Sequence, residues 1–131
     1  MLAFILSLSM TDYSHLAKVI QVEAARGTMD EYCVAVSVLN RVRSPHFPNT
    51  VASVVYSPGQ YEGLSNYNIS PNLSILNRIM SKDGQKKLLS AYSIIGDRTD
   101  FKGQRMLKYR VASEDPMCHN KGNFYHYHWQ T

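Results

Sequence analysis

From residue 13 onward the apolar positions recur at helical spacing. Leu16, Val19 and Ile20 lie seven, four and three residues before Glu23, offsets that share one face at 3.6 residues per turn. The pattern predicts a helix from about Tyr13 to Ala25, capped by Asp12 or Ser14. Arg26-Gly27 ends it, the glycine supplying the left-handed position that helix exits often use. Thr28 or Asp30 then caps a second helix, which runs from Tyr32 through Val42. Its middle is apolar on nearly every side. The valines would allow a strand, but no breaker occurs for more than ten residues, longer than most strands. A helix apolar all round is buried, so this one is expected as the central core helix.

Ser44-Pro45-His46-Phe47-Pro48-Asn49 reads as a breaker-rich loop. Thr50 to Tyr56 makes a short amphipathic turn of helix, capped by Asn49 or Thr50, and Ser57-Pro58-Gly59-Gln60 a turn. A polar, aromatic loop follows from Tyr61 to Pro71. Leu73, Leu76, Ile79 and Met80 keep helical spacing, Asp83-Gly84 interrupts, and Leu88, Leu89, Tyr92 and Ile95 continue the stripe to Gly96. Beyond Asp97 the pattern changes. Met106 to Val111 and Asn123 to Trp129 alternate as strands do, joined by a loop over Ala112 to Gly122. The fold class is α+β: one mostly helical domain, residues 13–131, with a small antiparallel β element near the C-terminus, and a peripheral segment over residues 1–12.

Composition narrows the class of partner. The chain has 131 residues, 44% hydrophobic and 18% charged, which is globular and not disordered. Net charge +4 and a pI of 9.1 suit an anionic partner: nucleic acid, an anionic membrane surface, or an acidic polymer such as a cell wall. The basic residues are spread along the chain and only Lys86-Lys87 are adjacent, so no nucleic-acid partner is expected. Residues 1–9, MLAFILSLS, are too short to span a membrane and lack a basic region and a clear cleavage site, so neither membrane insertion nor export by a signal peptide is expected. Two cysteines, 85 positions apart, do not make a disulfide framework; the reading favours free thiols, with Cys33 as core packing.

The stretch with the sharpest chemistry is Val22-Glu23-Ala24-Ala25-Arg26-Gly27. Glu23 is the only acid between Asp12 and Asp30 and falls on the apolar stripe of its own helix. A carboxylate there is either paired or has its pKa raised by desolvation. A carboxylic acid that keeps its proton near neutral pH is what general-acid catalysis on a glycosidic bond needs. The bland alternative is a buried Glu23 paired with a structural arginine, Arg26 or Arg41.

Three further stretches join this one. Val38-Leu39-Asn40-Arg41-Val42-Arg43-Ser44-Pro45-His46-Phe47-Pro48-Asn49-Thr50-Val51, then Val54-Val55-Tyr56-Ser57-Pro58-Gly59-Gln60-Tyr61, and the closing Gly122-Asn123-Phe124-Tyr125 stand in order along the chain. Together with Glu23-Ala24-Ala25-Arg26-Gly27 they resemble the SleB-type cell wall hydrolases, spore cortex-lytic enzymes and their bacterial and phage relatives. The resemblance covers roughly residues 15 to 63 well and the C-terminus weakly. It implies a lysozyme-like α+β fold related to lytic transglycosylases, and cleavage of the glycan strand of peptidoglycan with Glu23 as the catalytic acid. The chain departs from the family's usual Glu-Ala-Arg-Gly-Glu: one extra alanine separates Glu23 from Arg26-Gly27, and Thr28 stands where a second Glu is common.

The expected substrate contacts are Gln60 and Tyr61, then Tyr67 and Tyr125, because amides and phenols suit sugar hydroxyls and acetamido groups and aromatic faces suit sugar rings. Gln60 could equally bond within its own turn, and Tyr67 could be loop packing. Asn40 and Arg41 match the family motif, and at the end of a buried helix they are expected to hold neighbouring loops. A two-carboxylate glycosidase needs a second acid; Asp30, Glu31, Glu62 and Asp115 are available, and none carries a family role. A single acid suffices if, as in lytic transglycosylases, the sugar's own C6 hydroxyl completes the reaction, with no metal and no cofactor. Rival readings are a hydrolytic muramidase, a metal hydrolase built on Cys118, His119, His126 and His128 with His15 in reach, and an inactive wall-binding or virion module. The zinc set fits no ordinary ligand spacing. The expected protein is a monomer acting on the bacterial cell wall, delivered as a phage-type lysin or carried in a virion.

Overall fold

A computed structural model of the chain describes residues 1–61, 63–65, 68–104 and 115–128. The described elements are α1 (Leu2–Ser7), α2 (Met10–Glu23), α3 (Asp30–Arg43), α4 (Val51–Val55), α5 (Leu73–Met80), α6 (Lys82–Ile95), β1 (Asp100–Lys102) and β2 (Phe124–His126). The fold is α+β and mostly helical, as the periodicity predicts. Every residue of α3 from Asp30 to Arg41 is buried, and α2, α4, α6 and β1 pack around it. A helix without a polar face has no side to give to water, and here it is the axis of the core.

Two helix boundaries differ from the pattern for local reasons. α2 starts at Met10 because Ser9 makes a capping box: its hydroxyl accepts from the Asp12 N–H at 3.0 Å, and the Asp12 carboxylate accepts from the Ser9 N–H at 3.0 Å. It ends at Glu23; Ala24 leaves in extended conformation, and Gly27, at φ 79°, serves the turn into α3 instead of the helix exit. Residues 1–9, expected at the periphery, form α1, whose Ile5 is fully buried while Leu2 and Leu6 stay exposed. The expected interruption at Asp83-Gly84 falls at Ser81, which caps α6 by accepting from the Gly84 N–H at 2.9 Å. Gly84 lies so close to α5 that an added Cβ would meet the Arg78 carbonyl oxygen at 2.0 Å.

The sheet is antiparallel, with Asp100 opposite His126, Phe101 opposite Tyr125 and Lys102 opposite Phe124. β2 falls within the expected Asn123–Trp129 strand, but its described partner is Asp100–Lys102, a stretch that three residues are too few to reveal by alternation. The other expected strand, Met106 to Val111, lies outside the described residues.

Asp30 fastens this sheet to the helices. Its carboxylate, 1% exposed, accepts from the Asn123 N–H at 3.2 Å, from Asn123 Nδ2 at 2.8 Å and from the Tyr125 hydroxyl. Asn123 Nδ2 also donates to the Glu23 carbonyl oxygen at 3.0 Å, which ties the end of α2 to the same cluster. Asp30 is the first residue of α3, where the helix dipole favours negative charge. Gly122 is required beside it, since a Cβ there would meet the His119 carbonyl oxygen at 2.9 Å and Asp30 Oδ2 at 3.2 Å. Burial pushes the Asp30 carboxyl above its ordinary range, and the Tyr125 and Asn123 hydrogen bonds draw it part of the way back.

The cysteines are not free thiols. Cys33, inside α3, is bonded to Cys118, in the segment that leads into β2. Sequence separation hid the pair; α3 and β2 pack together through Asp30, and this brings the two residues within bonding reach. The disulfide and the Asp30 cluster both tie α3 to the C-terminal strand region.

Two outcomes are expected. Asp30→Ala strands the buried donors of Asn123 and Tyr125 and should cost about 3 kcal/mol or more in urea denaturation. Folded Asp30 holds its proton more tightly than the unfolded chain, whose carboxyl titrates near 3.8. Its share of stability therefore falls as pH rises from 3.8 through the raised folded value; in Asp30→Asn that part of the slope should vanish. Second, replacing both cysteines by serine frees a closed loop of 85 residues and should cost roughly 4 kcal/mol, read as a lower denaturation midpoint matched by reduced wild type.

Candidate active site

Glu23 closes α2 at the rim of a cavity of about 370 Å³ whose other walls come from α3, the Gln60-Tyr61 turn and the sheet. Arg41, Gln60, Tyr61, Asp100 and His126 line it with Glu23. The expected Glu23, Gln60 and Tyr61 thus meet in one place, although 37 positions separate the first two in the chain. Glu23 is half-buried.

Arg41 organises the site. It is 8% exposed, and its guanidinium fork has three targets. Nε donates to the Thr99 carbonyl oxygen at 2.8 Å, Nη1 to Gln60 Oε1 at 2.7 Å and Nη2 to Asp100 Oδ1 at 3.3 Å. A lysine could not make all three. The bond to Gln60 occupies the amide oxygen and leaves the NH2 group as a donor for the cavity. Asn40, the residue before, donates from Nδ2 to the carbonyl oxygens of Gly96 at 2.8 Å and Arg98 at 2.7 Å. The end of α3 therefore holds both neighbouring loops in position, as expected of these two residues.

Asp100 and His126 are the cavity residues that sequence reasoning did not select. Asp100 Oδ1 accepts from Arg41 and, at 2.8 Å, from the Thr99 hydroxyl, and Oδ2 lies 3.1 Å from His128 Nδ1. Both oxygens are engaged. His126 faces Asp100 across the sheet register; it is 1% exposed, its Nδ1 is 3.2 Å from the Tyr127 carbonyl oxygen, and its Nε2 is buried without a hydrogen-bond partner. The Tyr61 hydroxyl is likewise buried and unpartnered. Burial pushes its phenol up to about 12, with the Arg41 charge opposing and the Asp100 and Glu23 charges reinforcing the shift, so Tyr61 is a neutral donor at any working pH.

The remaining expectations fall elsewhere. Tyr125, expected to meet a sugar, is fully buried, with its hydroxyl on Asp30 and its ring centroid 5.7 Å from that of Phe101; its aromatic surface is consumed by the core. Tyr67 and Glu62 lie outside the described residues. Asp30 and Glu31 are buried away from the cavity, Glu31 under Arg78, whose Nη2 donates to both its oxygens at 2.9 Å. Asp115 is buried too. Of the metal set, Cys118 has no thiolate to offer because it is in the disulfide, and the described residues assemble no cluster of three or more potential metal ligands.

Residues 26–128 match the family model described as cell wall hydrolase, and the chain belongs to that family. The match begins three residues after Glu23. Among solved structures, the catalytic domain of the germination-specific lytic transglycosylase SleB from Bacillus anthracis is 21% identical, with a TM-score of 0.60 over 91% of this chain and 96% of that one. The catalytic domain of the Bacillus cereus SleB protein is 22% identical, with a TM-score of 0.58 over 91% of each chain. These likenesses show a shared fold. No curated protein sequence matches.

The phenol gives a direct check on the site's electrostatics. Alkaline titration of tyrosine absorbance in Tyr61→Phe should lack the step that wild type shows at about pH 12, with the titration between pH 9 and 11 unchanged to about one part in ten. Loss of amplitude nearer the ordinary value of 10.0 would contradict the burial of this hydroxyl.

Proposed function

We propose that the chain cleaves the glycan strand of peptidoglycan between N-acetylmuramic acid and N-acetylglucosamine, as a lytic transglycosylase with Glu23 as its acid and base. The observation that carries this is the state of the two carboxylates in one cavity: Glu23 is half-buried at the rim, and Asp100 has both oxygens engaged by Arg41, Thr99 and His128.

Gln60, its amide oxygen held by Arg41, and Tyr61, a neutral phenol, are the sugar contacts, presenting donors to hydroxyl and acetamido oxygens. Glu23 protonates the glycosidic oxygen as the bond breaks. The resulting carboxylate then takes the proton of the C6 hydroxyl of the muramic residue, whose oxygen closes on C1 to give a 1,6-anhydro ring. No water is consumed and no second carboxylate is needed. The +4 charge favours residence on an anionic wall. Among the described residues no helix is long and apolar enough to cross a membrane. Delivery as a phage-type lysin or in a virion, and action as a monomer, belong to the same proposal.

Asp100 favours one alternative, a hydrolytic muramidase, because a second carboxylate does line the cavity. The variants and the product separate the two. Glu23→Gln should leave the fold intact and lower release of muropeptides from purified sacculi by a factor of about 1,000, the amide having no proton to give. Asp100→Asn should keep roughly a tenth of the activity, since it disturbs Arg41 without removing the acid. Mass spectrometry should find glycan ends lighter by one water and resistant to borohydride. Mostly reducible ends, with Asp100→Asn as inactive as Glu23→Gln, would establish the hydrolase.

A further inference from the structure

The catalytic cavity does not stop at Gln60. On the far side of Gln60 and Arg41 a second cavity, of about 220 Å³, is lined by those same two residues together with Phe47, Pro48, Ser57 and His128. The two share a wall and so lie side by side.

The second cavity is built for a ring. Phe47, half-buried in the Ser44–Asn49 loop, has its ring centroid 5.1 Å from that of His128, edge to face at 71°. Arg41 sits 4.7 Å from the centroid of Phe47, in reach of a cation–π contact. Phe47 is thereby held from two sides by groups already committed to the catalytic cavity: Arg41 fixes Gln60 and Asp100, and His128 bonds Asp100. An aromatic face locked in this way adds apolar contact at little conformational cost. Ser57 donates its hydroxyl to the Ser53 carbonyl oxygen at 2.7 Å, which leaves the hydroxyl oxygen able to accept. Carbon faces of a pyranose suit the ring, and its hydroxyls suit Ser57 and His128.

We infer that this second cavity is a saccharide subsite, in which Phe47 and His128 seat the N-acetylated sugar next along the strand from the one bound at Gln60 and Tyr61. The inference rests on the glycan-cleaving reading above and extends it to residues that reading does not use. It gives the Ser-Pro-His-Phe-Pro-Asn loop a role beyond that of a connector: the prolines on either side fix the backbone that presents Phe47.

The test measures binding, so it does not require cleavage. Affinities of Glu23→Gln protein for N-acetylchito-oligosaccharides of two to six sugars are measured by calorimetry, with and without Phe47→Leu. Leucine keeps the loop's apolar volume and removes the aromatic face. In the parent, one step in length should tighten binding about tenfold. In Phe47→Leu that step should shrink to within about threefold, shorter oligomers binding as before, and Phe47→Tyr should restore it. If Phe47→Leu does not fold, His128→Ala at the exposed wall gives the same reading. Equal weakening at every length would assign Phe47 a structural role and overturn the subsite, as would an unchanged step or no binding by the parent at any length. Failure of the anhydro product with the length step intact would instead remove the transglycosylase mechanism and leave the subsite standing.

Discussion

A single buried carboxylate decides where the halves of this molecule meet. Asp30 opens the central helix and takes hydrogen bonds from the backbone and side chain of Asn123 and from Tyr125. Through Asn123 it also reaches the carbonyl of Glu23. Three elements converge there: the end of α2, the start of α3 just after it and, more than ninety residues further along the chain, the strand β2. Each bears on the cavity. α2 delivers Glu23, α3 delivers Arg41 eleven residues further on, and β2 delivers His126. A buried charge is costly unless its hydrogen bonds are complete, so this junction tolerates little displacement. The cleft inherits its geometry from a buried cluster that does not line it.

Arg41 performs the complementary task at the other end of α3. Asp30 joins secondary structure elements, whereas Arg41 gathers loops: the Thr99-Asp100 segment, the Gln60 turn and, through its face, Phe47. Loops carry the contacts that meet a ligand, and they need a rigid scaffold to do so. A helix buried along twelve consecutive residues, from Asp30 to Arg41, is that scaffold. Its two ends hold the functional connections and its middle makes the core, which explains why it has no polar face.

What was legible in the sequence follows from the range of each interaction. Helical periodicity is local, and the helices with their buried axis could be read from it. Glu23, Gln60 and Tyr61 were legible because they belong to stretches whose order along the chain is distinctive. β1 was not, since Asp100-Phe101-Lys102 is too short to alternate and becomes a strand only when β2 lies beside it. Asp100 and His126 were hidden for the same reason, their place in the cavity being a property of strand register. The disulfide was hidden by its separation of 85. Tyr125 was misread because an aromatic residue near a family motif looks like a sugar platform, and only the position of Asp30 shows that its hydroxyl is spent inside. The helix stops at Glu23, and the chain covers the remaining distance to Gly27, extra alanine included, outside it.

Two side chains of the cavity depart from a general rule of folded proteins. Buried polar atoms are ordinarily paired, yet the Tyr61 hydroxyl and His126 Nε2 are not, and both residues line the same cavity. Each such atom costs about 1–3 kcal/mol relative to a satisfied one. Phenylalanine at position 61 would fill the same space without that penalty. With Nδ1 of His126 donating to the Tyr127 carbonyl, its Nε2 is left as an acceptor, while the Tyr61 phenol is a donor. One donor and one acceptor thus stand unsatisfied among the residues that line the cavity. Stability withheld at these two atoms is returned only when a ligand or an ordered water supplies the partners. Local rules fail most informatively at functional sites; Asn40 Oδ1 and Arg98 Nε are also left without a partner, but the Tyr61 and His126 atoms belong to residues that the fold brings around Glu23.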